Sequence, residues 1–166
     1  MAARSPVYAL LILVVGLVLA CGGDPLADDA AVYTEAMATP LEDNMALAQE
    51  FLEVAAEVKR GNVKADDIHR RWEKRVLPLA DKLYDEVQAI QPETPELATL
   101  HQQLVDAWGD RAEAYHSMHR AYTKADAEAY QAAFDKNVES KLAEEDYFNK
   151  VNRLLEPYGY HVDQFP

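Results

Sequence analysis

Across 166 residues, 29 Asp and Glu stand against 16 Lys and Arg, a formal charge of −13. That balance argues against nucleic acid and anionic lipid headgroups as partners and favours basic ones. A single cysteine excludes a disulfide within the chain, and six glycines among recurring Ala, Leu, Glu, Lys, Gln and Asp favour helix over one domain-sized core.

Residues 1–6 hold one charge, Arg4, and residues 7–20 are apolar. That run of about 14 residues suits the core of a secretory leader and is short for a membrane span. Cys21 stands at its small-residue edge, after Leu17-Val18-Leu19-Ala20, and polar sequence follows at once. The stretch resembles the lipobox of bacterial lipoproteins, with Val18, Leu19 and Ala20 at the positions that family uses, and the resemblance covers residues 1–21 only. It implies a signal peptide over residues 1–20, cleavage before Cys21, diacylglyceryl transfer to its thiol and acylation of the new amino terminus. Two or more acyl chains on one residue anchor stably where a single chain is marginal. Gly22 is not the aspartate that retains some lipoproteins in the inner membrane. The resemblance therefore implies the outer membrane, facing the periplasm, in a two-membrane cell. Read without the resemblance, residues 6–23 could just cross a thin bilayer as an uncleaved anchor, with Cys21 an ordinary small residue.

Residues 21–38 read as a tether, with a short helix over 30–37 that places Tyr33 and Met37 on one side. Thr39-Pro40-Leu41-Glu42 has the form of a helix start, cap then proline then the glutamate of a capping box. The first main helix then runs to Arg60 and ends at Gly61, with the stripe Leu41, Met45, Ala48, Leu52 and Ala55. A second helix, 64–91, carries Ala65, Ile68, Trp72, Val76, Leu79, Leu83, Val87 and Ile90, with a kink expected at Pro78. Thr94-Pro95 opens the third helix and Asp126 caps the fourth, which runs to about Pro157. The third carries Leu97, Leu100, Leu104, Trp108, Tyr115, Met118 and Tyr122; the fourth carries Tyr130, Phe134, Val138, Leu142, Phe148, Val151 and Leu155.

Connections of a few residues force antiparallel neighbours. The expected fold is all-α, an up-down antiparallel four-helix bundle over residues 39–158 with an irregular tail at 159–166. A three-helix bundle with the first helix loosely docked is the runner-up. Both later hairpins hold register, pairing Trp72 with Tyr115, Leu83 with Leu104, and Leu104 with Phe148. The first helix leaves Ile90, Leu97, Leu100 and Leu155 under-covered, so either residues 30–37 cover them or they form a docking surface.

Two constellations could carry chemistry. His69, His116, Met118 and His119 fall at one end of the bundle, away from the tether, and their donors suit copper or zinc. The competing reading is hydrogen-bonded boundary residues. Arg111, Asn137, Lys141 and Glu145 fall on or beside apolar faces, as a pocket for a small anion or as a polar layer that fixes register; Glu144 and Glu145 are the nearest acids to balance Arg111. Glu113 and His116 have a di-iron spacing, but Glu113 faces away from the stripe. Arg70, Arg71, Lys74 and Arg75 form the one basic patch, facing an acidic partner or the acids of the first helix. No nucleophile–base pair or paired core carboxylates stand at a recognisable spacing, so no enzyme is expected. The expectation is a lipid-anchored, non-enzymatic bundle that contacts an envelope protein or cell-wall component. The alternative is a bundle that binds a metal ion or a small anion.

Overall fold

A computed structural model describes residues 23–61 and 63–162. The lipobox and Cys21 lie outside the described residues, as do residues 163–166. The described elements are α1 (Pro25–Arg60), α2 (Ala65–Arg71), a π-helical turn (Trp72–Val76), α3 (Leu77–Ala89), α4 (Pro95–Thr123), α5 (Ala127–Leu155) and a 3-10 turn (Glu156–Tyr158). α2, the π turn and α3 follow one another directly and form the second rod of an all-α bundle of four helices. α4 and α5 lie closest together, α3 packs on α4, and α1 packs on α3 and the π turn. No described helix is long and apolar enough to cross a membrane.

The first correction is the start of α1. Asp24, not Thr39, caps the helix, its side chain accepting from Leu26 N–H at 3.0 Å, and Pro25 rather than Pro40 opens it. Pro40 sits inside the helix, at a cost of about 3 kcal/mol for an interior proline. Burial offsets this: Tyr33 and Met37, upstream of the proline, are fully buried, and each contributes about 1.5–3 kcal/mol. The helix ends as expected at Gly61, whose positive φ of 65° lets its N–H reach the carbonyls of Glu57 and Val58.

The added turns settle what covers the end of the bundle near Pro25. Ala30, Tyr33 and Met37 join Leu97 and Leu155 in one core cluster, with Ile90 and Leu100 packed against it. Asp29 locks this end by accepting from Thr94 N–H at 2.8 Å and Thr94 Oγ1 at 2.6 Å. Tyr158 Oη donates to Asp24 at 2.7 Å, and Asn152 holds both backbone groups of Val162. The docking surface that the sequence leaves open there is therefore covered.

The face of α1 is the second correction. Leu41, Asn44, Leu47, Phe51 and Val54 face inward, continuing the row Tyr33, Met37 and Pro40, while Leu52 is 65% exposed. α5 is corrected in the same way. Phe148, Val151 and Leu155 fix its phase, and counting back at 3.6 residues per turn brings Glu144, Ser140, Asn137 and Ala133 inward. Val138 and Leu142, expected in the core, are exposed.

At Pro78, where a kink is expected, the structure has the π turn. Proline lacks an N–H, and its ring presses on the carbonyl four residues back, that of Lys74. The turn just before it widens, and Leu77 N–H bonds to Trp72 O, five residues back. The wide turn keeps Ile68, Trp72, Val76 and Ala80 buried at a constant spacing of four. On α4, Gly109 allows the Tyr84 ring of α3 to lie where a Cβ would stand only 2.8 Å away. Asp126 caps α5 as expected, accepting from Ala129 N–H at 3.0 Å.

Candidate functional site

The polar layer forms around Glu144, which is fully buried. Its carboxylate accepts from Asn44 Nδ2 (2.8 Å), Trp108 Nε1 (2.8 Å), Arg111 (3.1 and 3.3 Å) and Lys141 Nζ (3.2 Å). Burial pushes this carboxyl up, but Arg111, Lys141 and the hydrogen bonds outweigh it, and the net shift is downward. Arg111 and Asn137 are buried as expected, and Lys141 reaches in from a half-exposed stem. Glu145 is not a member: one residue along a helix is a turn of about 100°, and Glu145 is exposed. Arg111 and Lys141 both turn to the one carboxylate of Glu144, Arg111 sealed from solvent and Lys141 half-exposed. The arrangement is that of a register-fixing layer, joining α1, α4 and α5 through one carboxylate.

A second buried network carries no sequence signal except an off-stripe histidine. His101 Nδ1 accepts from Tyr33 Oη at 2.9 Å, Tyr33 and Tyr147 share a short hydrogen bond, and His101 Nε2 donates to Val87 O at 2.9 Å. Burial lowers the His101 pKa and raises those of both tyrosines. Both ring nitrogens are engaged, so the neutral imidazole joins α1 to α3, α4 and α5. His101 also edges a polar surface cavity of about 390 Å³ beside Tyr84, Gln88 and Asp106.

The histidine end forms at the far end of α1 from Pro25. A helix of 36 residues at about 1.5 Å per residue separates the two ends by about 54 Å. His69 leaves α2 and His119 leaves α4 so that His69 Nδ1 and His119 Nε2 lie 3.3 Å apart. His119 stacks on Trp72, with ring centroids 6.1 Å apart and planes at 28°, and His69 meets the Tyr122 ring edge-on. Thr123 Oγ1 is 3.4 Å from His69 Nδ1 and donates to the His119 carbonyl. Burial, then the neighbouring His69, lowers the pKa of His119, which favours the neutral ring.

The four expected ligands do not stay together. His116 Nε2 turns to Asp81 at 2.7 Å, and Met118 is wholly buried in the core. Among the described residues no group of three His, Cys, Asp or Glu could hold a metal ion. Beside His69 lies an apolar cavity of about 690 Å³, walled by Val58, Ala65, Tyr122, Ala125 and Tyr130. That volume lies in the range of small-molecule pockets.

The basic patch meets acids of α1. Arg71 pairs with Glu53 at 3.1 Å and Glu57 at 3.5 Å, and Arg75 with Glu50 at 3.5 Å. These exposed pairs add little stability but fix the lateral seat of α1 on α2. On the opposite flank of α1 the row Met45, Ala48, Leu52 and Ala56 bounds an apolar hollow of about 460 Å³. α1 approaches α5 through long side chains, Tyr33 to Tyr147 and Asn44 to Glu144, rather than by close backbone packing. By helical period the row on α1 and the pair Val138 and Leu142 on α5 border this wider seam. Compared with protein-family models, curated proteins and solved structures, the chain matches none.

Proposed function

We propose that the chain is a lipid-anchored, non-enzymatic bundle of the bacterial cell envelope that works by contact, receiving a basic amphipathic helix of another envelope protein along the α1–α5 seam. The observation that carries this reading is the exposure of Leu52 (65%) and Leu142 (61%) on either side of the seam; the only other exposed large apolar side chains among the described residues are Val32, Val58 and Val138. Isolated exposed apolar residues need no explanation, but two rows that border one seam do. Glu42 lies beside the row on α1, and Asp135, Glu139 and Glu145 lie beside the pair on α5, all exposed. An apolar strip with acidic margins complements a helix with one apolar face and basic edges. The anchor is acylated Cys21, as the lipobox resemblance implies, with the outer membrane facing the periplasm as its expected place.

Photo-crosslinkers placed at positions 52 and 142 in cells test the reading. The expected product is an adduct whose partner peptide is Lys- or Arg-rich and has helical apolar spacing. It is lost in Cys21→Ala cells, where fatty-acid labelling of the protein is also lost. An adduct only with a second copy of this chain, or with an acidic peptide, would overturn the proposed partner. Unchanged acyl labelling in Cys21→Ala would overturn the anchor.

A further inference from the structure

We propose that the imidazoles of His69 and His119 form a two-histidine site for a divalent first-row metal ion such as zinc or copper(II), open to solvent on its remaining positions. This site is separate from the α1–α5 seam and stands on different observations.

The spacing comes first. His69 Nδ1 and His119 Nε2 are 3.3 Å apart. Two nitrogens that each lie about 2.0–2.1 Å from a tetrahedral zinc are themselves about 3.3 Å apart, the edge of the tetrahedron. The backbone geometry of α2 and α4 therefore already sets the ligand-to-ligand distance. In the metal-free pair a single proton bridges the two nitrogens. The metal would sit about 1.2 Å to one side of the N···N line and take both lone pairs, the bridging proton moving to the far nitrogen of the ring that carries it, so that both ligands stay neutral imidazoles. Each ring needs only to turn about its last torsion, a soft motion for an imidazole.

The surroundings hold the two rings in place and leave them open to solvent. Stacking on Trp72 holds His119 in place, and the Tyr122 edge steadies His69. Both histidines are half-buried, so a ligand from solvent can reach them. No third His, Cys, Asp or Glu joins the pair among the described residues, so water fills the other positions. The neighbouring cavity, which His69 lines, gives that water room, and Thr123 Oγ1 lies 3.4 Å from His69 Nδ1. Two imidazoles with open positions make an exchangeable site of moderate affinity, not a sealed structural one. The corrected ligand set also departs from the sequence expectation, since His116 is held by Asp81 and Met118 is sealed in the core.

Full-length protein in detergent micelles, titrated with Zn²⁺ and with Co²⁺, tests the inference. Zn²⁺ should raise the unfolding temperature and bind one ion per chain. Co²⁺ should quench Trp72 fluorescence, a signal lost in Trp72→Phe. His69→Gln and His119→Gln keep a polar group in place, and each should weaken binding at least about tenfold, since even outer-shell partners cost 10–100-fold. His116→Ala should leave binding unchanged. No binding by the folded wild-type protein, equal binding in the His69→Gln/His119→Gln double variant, or loss in His116→Ala would each overturn the site. Circular dichroism of the metal-free variants separates loss of the site from loss of the fold.

Discussion

Glu144 shows how much one residue can decide. It ties α1, α4 and α5 together by accepting from Asn44, Trp108, Arg111 and Lys141 while fully out of water. Removing one partner of a buried pair leaves the other charge stranded, at about 3–5 kcal/mol. Glu144→Gln is therefore expected to destabilise by about that amount in urea unfolding, while Glu145→Gln, one position along, should stay within about 0.5 kcal/mol. Equal effects of the two would return the layer to the phase expected from sequence. That expectation fails for a physical reason. Val138 and Leu142 outrank Asn137, Ser140 and Glu144 in any count of apolar residues. The inward turn of the polar row depends on Arg111, Asn44 and Trp108, whose approach only the tertiary fold supplies. Arg111 and Asn137 were legible because a charge or amide on an apolar stripe is conspicuous. His101 was not, since its partner Tyr33 lies 68 residues away in the chain and Tyr33 reaches Tyr147 across another 114.

At the scale of elements, most of the bundle could be read from spacing. The starts of α4 and α5, the end of α1 and the pairing of Trp72 with Tyr115, whose rings lie 6.1 Å apart, follow from local signals and hairpin register. The start of α1 could not be read so. Thr39-Pro40 carries every local mark of a helix start, and local preference is overruled by the burial of Tyr33 and Met37 before it. The two accounts separate in one experiment. If α1 runs unbroken from Pro25, Met37→Ala opens a cavity in the core and costs about 2–5 kcal/mol. If residues 21–38 were a tether, the same change would cost almost nothing. Urea unfolding of the single variant, with Val32→Ala on the exposed side of the same helix as control, gives the answer. The π turn teaches the same lesson on a smaller scale. Pro78 announces a local departure from the α-helix, but the wide turn that results, with Trp72 and Val76 kept buried, is set by the packing around it.

Across the whole molecule, two pH effects oppose each other. The surplus of acid makes the folded chain repel itself at neutral pH, and acidification toward the isoelectric point near 4.7 relieves this. The buried imidazoles act in the other direction. His101 and His119 both have pKa values lowered on folding, chiefly by burial. Below the ordinary histidine value of about 6.5 the unfolded chain takes up protons that the folded chain resists, so this contribution is whole above about pH 6.5 and is lost as pH falls through the folded values. Salt separates the effects, because a Debye length of about 3 Å in 1 M salt removes surface repulsion and leaves buried groups largely untouched. In about 1 M sodium chloride the unfolding temperature should therefore fall between about pH 7 and pH 5.5, before the carboxylates near pH 4 contribute. The fall should be shallower in His119→Gln, which keeps the packing without the titration. In low salt, relief of repulsion should flatten the curve. A wild-type curve that is level or rising in high salt would mean that neither imidazole is held neutral by the fold. The lowered His119 value bears on the metal site as well, because a ring that is already neutral offers its lone pair to a metal without first losing a proton. The same titration repeated with saturating Zn²⁺ should start from a higher unfolding temperature and fall more steeply over the same window, because the bound ion keeps protons off the folded rings while the unfolded chain still takes them up.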